Sequence, residues 1–272
     1  TVVLWSDGDT RSAAHLSARG GAQGGNGGRI ETSGKVNLWS QGTRVDALAP
    51  HGSPGVWLLD PTSVTITGGG GAAAPNVVYE NDIEAAGANV DIVADYGITT
   101  SGTFTSADVV VPAGLNLTIR TTGTSGGTGV DLTGAGPLTF KTSAGGNISL
   151  TSADITQSIK PSNLTVIGSG TININSSGPV DLSGVTLQTA GGAIGIAGIG
   201  VAATGQDAVL ATQATITSTG GAVTLNGTHA NVNRRGVYLD RTSINSGAGA
   251  ITIGSTTANI KLMGSSVTSS GG

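Results

Sequence analysis

The chain of 272 residues contains no cysteine. That excludes a disulfide framework, thiolate metal ligands and a cysteine nucleophile, and it fits a protein that crosses membranes unfolded. Aromatic residues are scarce as well: three Trp, three Tyr and two Phe. A membrane β-barrel needs aromatic girdles at both interfaces, and this supply cannot furnish them. Charged residues make up only 10%, against about 25% in an ordinary globular domain. With a net charge of −4 the chain has no general attraction for nucleic acid, and the one basic pair, Arg234-Arg235, reads as a solvated turn. The apolar run Ala190–Gly205 is too short and too glycine-rich for a membrane helix. No secretory signal is visible at Thr1, so any export signal is expected upstream of these residues or removed.

What remains is glycine, 47 residues of it, with Ser, Thr, Ala and Val, and 37% hydrophobic residues. That apolar share at low net charge argues against disorder. The apolar positions alternate with hydroxyl and amide residues, as in Leu115-Asn116-Leu117-Thr118-Ile119 and Ile172-Asn173-Ile174. Alternation marks strands with one buried face.

The strands recur. Leu187-Gln-Thr-Ala-Gly-Gly-Ala-Ile194-Gly-Ile196 matches Ile216-Thr-Ser-Thr-Gly-Gly-Ala-Val223-Thr-Leu225 and Ile244-Asn-Ser-Gly-Ala-Gly-Ala-Ile251-Thr-Ile253, and a further copy opens at Val267. Between copies lie Val180-Asp-Leu182, Val237-Tyr-Leu239 and Ile260-Lys-Leu262. Each repeat therefore holds about three short strands joined by glycine- or serine-rich corners, and two-residue hairpin turns are rare. Such units wind as a right-handed parallel β-helix, an all-β solenoid in which each strand stacks on its counterpart. The expectation is roughly ten to twelve coils with some extra-helical loops, a rod on the order of 50 Å long. Weaker copies start at Val64, Val90, Leu117 and Leu138. Residues 1–272 read as one segment: a Trp-containing part over 1–67, an insertion over 68–88 with a helical turn near Asn81–Ala86, and regular coils over 89–272.

The first part breaks the pattern. Val2-Val-Leu4-Trp5 returns as Val36-Asn-Leu38-Trp39, which would turn both tryptophans outward. In Gly55-Val56-Trp57-Leu58-Leu59-Asp60-Pro61 four bulky residues stand in a row. Either strand phase leaves two of them on the outer surface, so an extra-helical segment is expected to cover them.

Gly24–Gly34, within GGNGGRIETSG, followed by Trp57–Ile66, WLLDPTSVTI, resembles a signature of filamentous-haemagglutinin-like exoproteins. These are large secreted adhesins of bacterial two-partner secretion systems. The resemblance covers about the first 92 residues. Arg29 departs from it, standing where a bulky apolar residue is more usual. The resemblance implies Gram-negative origin, passage through an outer-membrane secretion pore, an extracellular or cell-surface location, and a place within the β-helical shaft.

Catalytic motifs find no support in their context. Gly123-Thr-Ser125-Gly-Gly127 mimics a nucleophile elbow without the helix that must follow. Gly198–Ala203 mimics a dinucleotide fingerprint, again without its helix. Gly126–Asp131 makes one imperfect calcium-roll repeat, with Thr133 where an aliphatic residue belongs. Asp91, Asp131 and Asp181 point outward between apolar neighbours. Stacked, they would suit calcium or an acid–base pair, but their wide and unequal spacing does not fit one coil period. His15, His51 and His229 lack metal-ligand spacing and read as loop residues. Five Asn-x-Ser/Thr sequons, at Asn116, Asn147, Asn163, Asn175 and Asn226, are candidate glycan acceptors.

The sequence therefore reads as a structural, adhesive rod with no catalytic centre, metal or cofactor. Its partners would be the secretion pore and a receptor or matrix glycan on a host or neighbouring cell, with end-to-end self-association. The expected continuation past Gly272 is another β-helix strand. A polysaccharide-active β-helix enzyme and a stalk delivering a C-terminal toxin are the alternatives.

Overall fold

Strands with one apolar face cannot stand alone; the glycine corners bring each back over its counterpart and close the apolar faces into one core. The computed structural model describes residues 1–271. It is a parallel β-helix of about nine turns, 2% helical. The expected continuation at Gly272 lies outside the described residues.

The first sheet has ten strands, from Val2–Ser6 to Ile251–Thr256, and the second has eleven, from Asp9–Arg11 to Asn259–Met263. The third face is divided. His15–Ser17 pairs with Arg44–Asp46, and a separate seven-stranded sheet runs from Asp108–Val110 to Ser266–Thr268.

One inward column of the first sheet runs the whole rod: Val2, Ile30, Trp57, Val90, Leu117, Ile148, Ile172, Ile194, Val223 and Ile251. These ten levels enclose nine turns, fewer than the ten to twelve expected, because the coils are longer on average. Their lengths vary: the shortest runs from Ile172 to Ile194 and the longest from Trp57 to Val90. At about 4.8 Å per coil the rod is on the order of 45 Å long.

The strong repeats fall in the expected register. Leu187, Ile216, Ile244 and Val267 form one column of the third face, and Val180, Val209, Val237 and Ile260 one of the second. At the corner before the first sheet, Gly146, Gly170, Gly192, Gly221 and Gly249 stack. A Cβ on any of the last four would overlap the carbonyl of the glycine one coil below.

Two readings of the first part change. The interval from Val2 to Val36 is not a coil: Val2–Ser6 lies in the first sheet but Asn37–Trp39 in the second, and Val2 is matched with Ile30. The two sequences share only the inward Leu and outward Trp; Val36 lies before its strand and is exposed, whereas Val2 joins the inward column. In Val56–Leu59, Trp57 and Leu59 point into the core at 0% exposure, and the indole N–H of Trp57 donates to Thr32 Oγ1 at 3.0 Å. Leu58 faces outward yet is only 4% exposed. Instead of an added segment, its ladder neighbours Glu31 and Asp91 flank it, each bridged to an arginine.

Past Thr67 the chain doubles back. Val77–Tyr79 enters the second sheet between Asn37–Trp39 and Ser63–Thr67, ahead of the strand that precedes it in sequence. A short helix, Glu80–Glu84, then fills the break in the third face. Its acids satisfy backbone donors left open there. Glu80 accepts from the N–H groups of Gly69 and Thr105 at 2.6 and 2.8 Å. Glu84 accepts from Val110 N–H, on the first strand of the seven-stranded sheet, at 2.9 Å. Asp82 takes the N–H of Gly42 and an Arg44 N–H, while its Oδ2 is buried without a partner.

Candidate interaction surfaces

An outward strand residue meets only the residues one coil above and below and its i±2 neighbours, so chemistry on a β-helix is built in columns. On the second sheet Asp131, Lys160 and Asp181 share a column: Asp131 is matched with Lys160, and Ile159 with Val180. The interval between the aspartates is thus two coils of unequal length, Asp131 to Lys160 and the shorter Lys160 to Asp181. Lys160 Nζ lies 3.2 Å from Asp131 Oδ2. Each aspartate also ties its own corner. Asp131 Oδ1 accepts from the Thr133 N–H and hydroxyl at 3.1 and 2.6 Å, and Asp181 Oδ1 from those of Ser183 at 3.0 and 2.6 Å. Burial works to raise the Asp131 pKa, but the Thr133 and Lys160 donors outweigh it and hold the carboxyl below its ordinary value. Asp131 is therefore a fixed anion, not a proton donor. Asp91 lies apart, on the first sheet, gripped by Arg120 through two N–H donors at 3.1 Å.

Beside this column is a notch of about 240 Å³. It forms because one coil turns the corner in two residues, Pro161 and Ser162, between Ile159–Lys160 and Asn163–Ile167. Its walls are Pro137 and Leu138 on one side and Gly184 and Val185 on the other.

A second concavity, about 420 Å³, lies on the first sheet above Leu58. Val56 and Leu58 form its apolar floor, Arg29 and Asp91 stand at its sides, and the backbone of Gly27, Gly28 and Gly55 makes a wall. A Cβ on Gly27 or Gly55 would collide with the backbone of the neighbouring coil, so both glycines are needed for close packing there. Arg29 donates to Glu31 Oε2 at 2.9 Å while remaining largely exposed.

Amide side chains form a third feature. Asn89 Oδ1 accepts from Asn116 N–H at 2.9 Å, Asn116 Oδ1 from Asn147 N–H at 2.8 Å, and Asn147 Oδ1 from Thr171 N–H at 2.8 Å. This ladder holds four successive coils in register. It engages two sequon residues, and the Asn147 amide also donates to Asn116. Asn163 accepts from Thr186 N–H at 2.7 Å. Asn175 and Asn226 stand exposed on the outer face of the first sheet.

The remaining residues are dispersed. Ser125 is exposed in a corner, and Gly198 and Gly200 lie inside the strand Ile194–Gly200. His15 lies in the exposed strand His15–Ser17 and His51 in an exposed turn. His229, expected in a loop, ends the strand Val223–His229 fully buried, with Nδ1 accepting from Asn231 N–H at 2.9 Å. Arg235 does not face solvent freely. It bonds Asp207 at 3.0 Å and lies 3.9 Å over the Tyr238 ring. At the other end of the rod Arg11 lies 3.7 Å over Trp39, and Trp5 is 55% exposed. Among the described residues no three His, Asp or Glu side chains are grouped to hold a metal ion.

No family model, curated protein or solved structure matches the chain.

Proposed function

We propose that this chain is a segment of the adhesive shaft of a secreted bacterial cell-surface exoprotein of the filamentous-haemagglutinin-like kind. Its role is to project and display binding surface, without a catalytic centre or cofactor. The observation that carries the reading is the unbroken ten-level inward column, which makes a stiff rod from short repeats and leaves the outer columns free to vary. The resemblance of Gly24–Gly34 and Trp57–Ile66 supports the secretion route, through an outer-membrane pore of a Gram-negative cell, and the extracellular location. Displaying residues 1–272 on a non-adherent bacterium tests it. Attachment to matrix- or cell-coated surfaces should rise above that of a display scaffold alone; no gain on any surface overturns the adhesive reading.

The Asp131–Lys160–Asp181 column favours a second reading, a polysaccharide-active β-helix, since two carboxylates do share one face. Against it, Asp131 is held ionised, and both aspartates are committed to corner hydrogen bonds. Purified protein should release neither reducing ends nor unsaturated products from acidic polysaccharides. Turnover that disappears in Asp131→Asn or Asp181→Asn would promote the enzyme.

A further inference from the structure

We propose that the concavity above Leu58 is a binding subsite for one neutral sugar unit of a glycan. Its floor is unusual for an outward position. Leu58 replaces the hydroxyl, amide or charged residues that occupy most of its column, and it lies at the bottom of a hollow of about 420 Å³, a volume in the range of small-ligand sites. Half-buried Val56 supplies the accessible apolar surface of this floor, with only the edge of Leu58 showing, and it suits the C–H face of a sugar ring, which loses little when removed from water.

The sides supply the polar half. Glu31 and Asp91 flank Leu58 along the ladder, and each is already neutralised by an arginine, Arg29 at 2.9 Å and Arg120 at 3.1 Å. A carboxylate has about four lone-pair sites and a guanidinium five donors, so these pairs keep unused acceptors and donors close together. A hydroxyl group both gives and takes a hydrogen bond. Two neighbouring sugar hydroxyls can therefore accept from Arg29 and donate to Asp91 at once. The charges cancel within the two ion pairs, and burial raises the pKa of the neighbouring Asp60 carboxyl, so the site offers nothing to attract an acidic ligand and suits a neutral polyol.

This assignment rests on the display role proposed above and names the class of ligand displayed. The test is saturation-transfer NMR on the purified chain with the methyl glycosides of glucose, galactose and N-acetylglucosamine, and with glucuronate and glucosamine as charged controls. At least one neutral glycoside should receive saturation, and its affinity should fall tenfold or more in Arg29→Leu, whose exposed site leaves the melting temperature unchanged. Val56→Asn should weaken it similarly. No transfer to any neutral glycoside, equal binding of the charged sugars, or binding that survives Arg29→Leu overturns the subsite. Surface attachment that persists in Arg29→Leu while glycoside binding was never seen keeps the display role and sinks the subsite alone.

Discussion

Gly221 and its neighbour Gly220 look equivalent in the sequence, but the chain treats them differently. A Cβ on Gly221 would overlap the Gly192 carbonyl, whereas one on Gly220 meets nothing within 4 Å. Gly221→Ala must push two coils apart, at a cost of about 2 kcal/mol or more, and should lower the melting temperature by several degrees. Gly220→Ala should leave it nearly unchanged in the same thermal scan. The acids of the short helix make a second contrast. Burial would raise the Glu80 pKa, but N–H donors from Gly69, Thr105 and Ser106 prevail and hold it below its ordinary value. Asp82 is the reverse: burial outweighs Gly42 and Arg44 and raises it. Glu80 therefore contributes stability at neutral pH that is lost as the pH falls through its lowered folded value. The charge on Asp82 costs stability above its raised value, a cost relieved on acidification. Melting curves from pH 3 to 7 should show Glu80→Gln less stable at neutral pH with a flatter acid limb. Asp82→Asn should be at least as stable as the parent at pH 7.

A strand in this fold has one phase, and a slip of one residue would turn its apolar set to water. Val223 is fully buried in its column between Ile194 and Ile251, and Thr224 faces out. Val223→Asp buries an unpaired carboxylate, costing several kcal/mol, while Thr224→Asp adds one to the surface. Thermal melts should separate the two widely; equal losses would refute the phase. Phase was legible because Ile194, Val223 and Ile251 share the Gly-Ala-[Ile/Val] setting, which a close-packed glycine corner imposes on each coil. The Asp131–Asp181 column was not legible. Its two coils differ only in corner length, and corners carry no periodic signal. Leu58 was equally opaque: alternation says which way a side chain points, but not that paired charges will shelter it. The asparagine ladder was foreseeable only as a class, since Asn89, Asn116 and Asn147 fall into one column only once the coil lengths are known.

At the scale of the whole rod, solenoid construction was readable from the repeat of three short strands per coil, and the reversal at Val77–Tyr79 was not. A solenoid has nearest-neighbour contacts only, so nothing in local composition reports that one strand has been laid down out of order. That strand has a mechanical consequence. Tension applied along the rod loads the hydrogen bonds between coils directly, and an ordinary β-helix under such load should unravel from an end, one coil at a time. Here the junction between the second and third coils contains a strand that the third coil lays down only after Ser63–Thr67, its own strand in that sheet. Peeling from the first coil must stop at that stitch until Val77–Tyr79 is torn from both Asn37–Trp39 and Ser63–Thr67. Single-molecule pulling should record low, even steps interrupted by one higher-force event, and replacing Val78, buried within the stitch, with Asp should erase it. A rod loaded along its axis would thus carry its own ratchet at this junction.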